Sequence, residues 1–194
     1  MKKYSIIYAD PPWFTPKSTA TMCRIGGRKK VIAKDIGYNI MTNKQLMALP
    51  IQNICTENCL LFMWCIDHFI DFMPALMLAW GFQFKTIGFV WHKVSVKKHL
   101  EMGVFTPYTF KSCEMCYIGT RGKYFLNMSR KFLVRQFIEY PVGGHSKKPD
   151  IIRDKIVKMC GNISRIELFA RTKTEGWDIW GDEIKSDIKM ENYL

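Results

Sequence analysis

The sequence predicts a layered α/β protein with a predominantly parallel sheet and helices on both faces. Three observations carry this. Tyr4–Ala9 is a short apolar run halted by Asp10-Pro11-Pro12, the pattern of a buried strand running into a loop. Further runs of that kind alternate with segments of helical period along the chain. The helical segments also carry their own start and stop residues.

Taken in order, residues 14–37 are polar and basic, too long for a tight connection. Thr42-Asn43-Lys44-Gln45 then fits a capping box and starts a short helix with Leu46 and Leu49 on its apolar side. Residues 59–64 read as a second buried strand. Residues 68–80 carry Phe69, Phe72, Met73, Leu76, Met77 and Trp80 at helical spacing, and Gly81 stops them. Residues 84–92 and 114–119 read as strands. A helix is expected over 148–160, with Ile151, Ile152, Ile156, Val157 and Cys160 inward and Gly161 as its end. Residues 165–170 form a last apolar strand before the Gly- and Trp-rich stretch 176–183. In such folds ligands gather beyond the carboxyl ends of the strands.

With 194 residues, 48% of them hydrophobic, the chain suits a single domain over 1–194. Its net charge of +12 speaks of partners, and a phosphate backbone is the commonest partner for such a surplus. Lys and Arg outnumber Asp and Glu nine to two over residues 1–50 and stand level, eight to eight, over 151–194. The basic face is therefore expected from the loops at 24–34, 93–99 and 121–135.

The seven cysteines are read as reduced thiols of a soluble cytoplasmic protein, because no leader-like segment opens the sequence. Cys113 and Cys116 fall on a strand that would turn them to opposite faces, and no second pair accompanies them, so no metal site is expected. No apolar run reaches a membrane span.

The chemistry concentrates in Asp10-Pro11-Pro12-Trp13. Two prolines fix their own φ angles and restrict the residues before them. The Asp10 carboxylate and the Pro11 carbonyl can then stand as adjacent acceptors, matching the two in-plane N–H donors of a purine amine. Accepting both bonds favours a pyramidal nitrogen whose lone pair is free to attack a methyl sulfonium. Trp13 offers a flat face for an extruded base. Asp10 is assigned positioning and charge stabilisation ahead of proton removal.

These residues resemble the DPPW-type adenine-N6 methyltransferases. The resemblance runs through Tyr38, the 41–49 helix, Leu61-Phe62-Met63-Trp64, Gly81-Phe82 and Trp91-His92-Lys93. It continues with residues 145–150, 165–171 and 176–183 in the family's order. It implies a Rossmann-like, S-adenosylmethionine-dependent fold in permuted order, the catalytic motif preceding the cofactor strand. It also implies that Asp10 faces both cofactor and amine, that Lys148 grips the cofactor carboxylate and that Glu167 clamps a ribose hydroxyl. By the same resemblance Phe169 and Arg171 flank the cofactor, and Asp182 and Glu183 fall where the family often has Asn-Glu or Asn-Gln. Tyr38 is expected to wall the base pocket, and Arg28, Lys29 and Lys30 to hold phosphates.

DNA is the preferred substrate, since the chain looks like a minimal catalytic domain without a separate RNA-binding module. RNA is the alternative enzyme reading, and a catalytically silent nucleic-acid-binding subunit is the alternative outside catalysis. A homodimer stays open.

Overall fold

The computed structural model describes residues 2–13, 39–123, 133–144 and 147–194. Seven strands form one sheet: β1 (Tyr4–Ala9), β2 (Cys55–Cys65), β3 (Gln83–Val94), β6 (Cys113–Arg121), β7 (Phe137–Pro141), β8 (Arg165–Leu168) and β9 (Asp178–Trp180). Between β3 and β6, β4 (Val104–Phe105) and β5 (Phe110–Lys111) pair as a separate hairpin. The sheet order is β7-β3-β6-β2-β1-β8-β9. All neighbours run parallel except β6, which is antiparallel to both β2 and β3. The expected predominantly parallel sheet is thus met with one reversed strand.

The period-2 alternation of the buried strands separates two apolar layers. Ile7 and Ala9 of β1 and Leu61 and Met63 of β2 face one layer. That layer also takes Leu46 of α1 (Asn43–Met47), Ile51 and Ile54 of α2 (Ile51–Ile54), and Met73, Leu76 and Met77 of α3 (Met73–Ala79). Ile6 and Tyr8, with Leu60, Phe62 and Trp64, face the other, where Ile152 and Ile156 of α4 (Ile151–Cys160) close over them. Helices therefore cover both faces, as expected. Three buried indoles are each satisfied: Trp64 Nε1 donates to Tyr8 Oη at 2.7 Å, Trp80 Nε1 to the Leu46 carbonyl and Trp91 Nε1 to the Tyr140 carbonyl, both at 2.8 Å.

Local chemistry sets the ends. Thr42 caps α1 with both arms of the capping box present. The helix expected over 68–80 begins only at Met73. Pro74 lies in its first turn, where a missing N–H costs nothing, and a 3₁₀ turn, Asp67–Phe69, precedes it. The helix expected from residue 148 likewise starts at Ile151, after Pro149. It ends on Gly161 at φ +82°, a conformation that favours glycine. The strand expected to reach residue 170 stops at Leu168, because Phe169 turns to φ +60°.

From β1 the chain adds β2, then β3, then β6 between them and β7 outside β3, and returns to the opposite flank of β1 with β8 and β9. The β1/β8 boundary is the topological switch point, where a crevice opens beyond the carboxyl ends. Among the described residues, no helix is long and apolar enough to cross a membrane.

Candidate active site

A cavity of about 210 Å³ occupies that crevice, the place where open α/β sheets take their ligands. Its lining follows directly on strand ends: Asp10, Pro11, Pro12 and Trp13 after β1, Ile66 after β2, Phe169, Ala170 and Arg171 after β8, and Asp182 and Glu183 after β9. Asn39 and Lys148 complete it. The Asp-Pro-Pro-Trp loop is fixed on both sides. Trp13 N donates to the Pro11 carbonyl at 2.9 Å, and Met41 N donates to the Pro12 carbonyl at 2.9 Å. The Pro11 carbonyl keeps a second lone pair for another donor.

On the far wall, Phe169 holds left-handed geometry, a strain of about 1–3 kcal/mol that surrounding contacts must offset. Its ring lies between Trp80 and Trp180, with centroids 6.4 and 5.4 Å away. Gly181 permits the β8 and β9 ends to meet, since a Cβ there would stand 2.2 Å from the Ala170 carbonyl oxygen.

The charged groups form an alternating chain leading away from Asp10. Lys148 Nζ is 3.0 Å from Asp10 Oδ2 and 3.2 Å from Glu114 Oε2, and Lys93 Nζ is 2.5 Å from Glu114 Oε1. Lys148 and Lys93 also lie over the rings of Trp64 and Trp91. Burial works against the Lys148 ammonium, but Asp10 and Glu114 outweigh it and raise its pKa. Burial likewise pushes Glu114 up, yet the two lysines hold it below the usual carboxylate range. Asp10 shifts the other way. Desolvation raises its pKa by more than Lys148 lowers it, making Asp10 a better proton acceptor than an ordinary aspartate.

The structure brings together Asp10, Pro11, Pro12, Trp13, Lys148, Phe169, Arg171, Asp182 and Glu183. Asp182 accepts from Asn39 Nδ2 at 3.2 Å, and Arg171 Nε lies 3.3 Å from Glu183. Two expected site residues have other partners in this structure. Glu167 does not line the cavity. Its position in β8 turns it toward α4, where Arg153 Nε and Nη2 each donate to one of its oxygens at 2.7 Å. The acid expected to clamp a ribose is here half of a buried bidentate ion pair. Trp13 is only 8% exposed and stacks on Phe69 with centroids 5.0 Å apart, so one ring face is already occupied. The residue also lines the cavity.

Tyr38, Arg28, Lys29, Lys30 and His145 lie outside the described residues. Of the basic 93–99 stretch, Lys93 is taken by Glu114, while Lys97 and Lys98 are exposed. Sequence reasoning misses Glu114 as a site residue, although a signal exists. A carboxylate within the apolar run 113–119 needs a partner for the same reason as Glu167. Among the described residues, no cluster of His, Cys, Asp or Glu could hold a metal ion.

A mainly parallel sheet with a crevice at its switch point, edged by a lysine-paired aspartate on a Pro-Pro loop, is consistent with a Rossmann-like methyltransferase fold. The chain belongs to the MT-A70 family, whose profile matches residues 4–183, and with it to the adenine methyltransferases. It is 34% identical over 200 residues to the type II methyltransferase M.MunI from Mycoplasma sp, covering 98% of this chain and 81% of that protein. It is 26% identical to the N6-methyladenosine RNA methyltransferase MTA1 of Pyricularia oryzae and 25% identical to the N(6)-adenine-specific methyltransferase METTL4 of Homo sapiens. These alignments cover 98% and 94% of this chain. The chain spans 50% and 38% of those two relatives. The resemblance drawn from the motifs is therefore met at the level of the family.

Proposed function

We propose that the protein transfers a methyl group from S-adenosylmethionine to the exocyclic N6 amine of adenine in DNA. The observation that carries this is the cavity itself, with the Asp-Pro-Pro-Trp loop on one wall and Phe169, Arg171, Asp182 and Glu183 on the other. The lining suits the cofactor's charges. Three carboxylates (Asp10, Asp182 and Glu183) and two cations (Lys148 and Arg171) leave a net negative site for a ligand carrying a sulfonium, an ammonium and a carboxylate. Lys148 would hold the carboxylate and Phe169 would pack beside the base of the cofactor. When bound, the cofactor supplies an electrophilic methyl group.

The chain's own residues do the rest. The Asp10 carboxylate and the second lone pair of Pro11 orient the amine by accepting its two N–H groups. As N6 takes the methyl carbon in exchange for its bond to the cofactor's sulfur, positive charge would grow on N6, and Asp10 would stabilise it where desolvation strengthens the interaction. The proton that N6 then sheds passes toward Asp10. Its raised pKa suits that role.

The likeness to M.MunI, a type II methyltransferase covered over 81% of its length, stands beside the compact catalytic domain in placing DNA first among the substrates we propose. The RNA relative MTA1 keeps RNA as the second reading. The six described cysteines carry free thiols, which suits work inside the cell.

Lys148→Ala is expected to weaken S-adenosylmethionine binding by roughly 10- to 100-fold, the worth of a hydrogen bond to a charged group. Titration calorimetry on the folded variant measures it, and an unchanged affinity would remove Lys148 from the cofactor site. Neutralising Arg28, Lys29 and Lys30 together should weaken DNA binding and flatten its salt dependence. The slope falls by about one unit for every phosphate that is no longer neutralised. An unchanged slope would exclude that loop from the interface.

A further inference from the structure

Residues 95–112 leave the sheet at the carboxyl end of β3 and return as β6, at the same edge as the Asp10 loop. This excursion holds six of the fourteen large hydrophobic side chains exposed among the described residues: Val96, Leu100, Met102, Val104, Phe105 and Tyr108. A patch of that density marks an interaction surface. It is built rigidly. Met102 N donates to the Lys93 carbonyl and Lys93 N to the Ser112 carbonyl, each at 2.8 Å, so both arms are tied to β3. Lys111 pairs with Asp67 at 2.6 Å, and the Phe105 and Phe110 rings meet at 4.6 Å.

At the tip, Pro107 fixes one φ angle. Thr106 Oγ1 donates to the Thr109 carbonyl at 2.8 Å and accepts from the amides of Tyr108 and Thr109 at 3.3 and 3.1 Å. This turn presents Tyr108 94% exposed. An aromatic side chain held in water on an ordered turn gains nothing for the fold.

The surroundings favour nucleic acid as the occupant. Residues 93–112 contain four lysines and one acid, Glu101, and Lys97 and Lys98 are exposed beside the apolar side chains. The base of the hairpin is Lys93, which joins Asp10 through Glu114 and Lys148. Chemistry on a paired adenine requires its extrusion from the stack, at a cost of a few kcal/mol. We propose that the β4–β5 hairpin is a duplex-engaging finger. Tyr108 stacks on the bases beside the extruded adenine, and Lys97 and Lys98 hold flanking phosphates. This rests on the proposed function and adds the element that opens the duplex.

The test compares Tyr108→Ala, Tyr108→Phe and the Lys97→Ala/Lys98→Ala pair with wild type. Labelled methyl transfer is measured on native and heat-denatured genomic DNA from a methylation-deficient bacterium. Binding of a fluorescent 40-base-pair random duplex is measured alongside. Tyr108→Ala should lower kcat/KM on native DNA about tenfold or more and affect denatured DNA less, whereas Tyr108→Phe keeps most of the activity. Both the Tyr108→Ala and the double-lysine variant should bind the duplex more weakly. Unchanged rates and binding, or equal losses on native and denatured DNA, would overturn the finger. So would a loss tracking conversion of a dimer to a monomer by light scattering, which would assign the hairpin to contact between copies. Wild-type protein that labels neither DNA would defeat the methylation reading itself, leaving the binding arm to decide the hairpin.

Discussion

Asp10→Ala is expected to lower methyl transfer by at least about 10²-fold while changing S-adenosylmethionine affinity far less. The asymmetry follows from when the carboxylate acts. Its bond to the amine strengthens as N6 becomes cationic, and an interaction made mainly in the transition state lowers the rate constant rather than the affinity. The fold should tolerate the change, because Lys148 keeps Glu114 as a partner at 3.2 Å. In the wild-type protein the raised pKa of Asp10 also predicts a sign. The charged form is lost on acidification earlier than for an ordinary aspartate, so the acid limb of the rate profile should lie at higher pH than an ordinary aspartate would give. Single-turnover kinetics with calorimetry on the same preparation separates the two quantities. Equal losses in rate and cofactor affinity would make Asp10 a binding residue instead.

The second large effect is on stability. Glu167→Ala leaves the buried Arg153 guanidinium with Asp150, at 2.9 Å, as its one remaining acidic partner among the described residues. Removing one half of a buried pair costs about 3–5 kcal/mol, far more than the pair contributes relative to an apolar replacement. At this chain length that corresponds to a fall in Tm of roughly 6–20 °C. Arg153→Met combined with Glu167→Ala should recover most of the loss, because the unpaired charge goes too. Thermal unfolding of the two variants tests this. A Glu167→Ala protein of unchanged Tm that no longer binds cofactor would restore the ribose-clamp role to Glu167.

The contrast between Asp10 and Glu167 shows what the sequence makes legible. The Asp-Pro-Pro-Trp loop and the Thr42 capping box are readable because their partners sit within a few residues and proline restricts the geometry. Gly161 is readable as a helix end for the same local reason. An isolated acid in the apolar β8 run correctly signals that Glu167 needs a partner. Which partner depends on how α4 packs over β8, and that brings Arg153 rather than a ligand. Glu114 escapes because its partners, Lys93 and Lys148, lie 21 and 34 positions away and meet it only once β6 is inserted antiparallel between β2 and β3. The β4–β5 hairpin carries two-residue strands, too short to leave a period. Trp13 is legible as a wall of the site but not as Phe69's stacking partner, since that contact joins two loops across the sheet edge.

The central claim is that the cavity at the β1/β8 switch point methylates adenine in DNA. It is tested most directly by incubating the protein with labelled S-adenosylmethionine and duplex DNA, single-stranded DNA and RNA in parallel, then identifying the modified nucleoside by mass spectrometry. N6-methyladenine in DNA, absent with Asp10→Ala, is the predicted result. Protein that binds the cofactor yet labels none of the three would contradict it, and label in RNA alone would move the activity to the second reading.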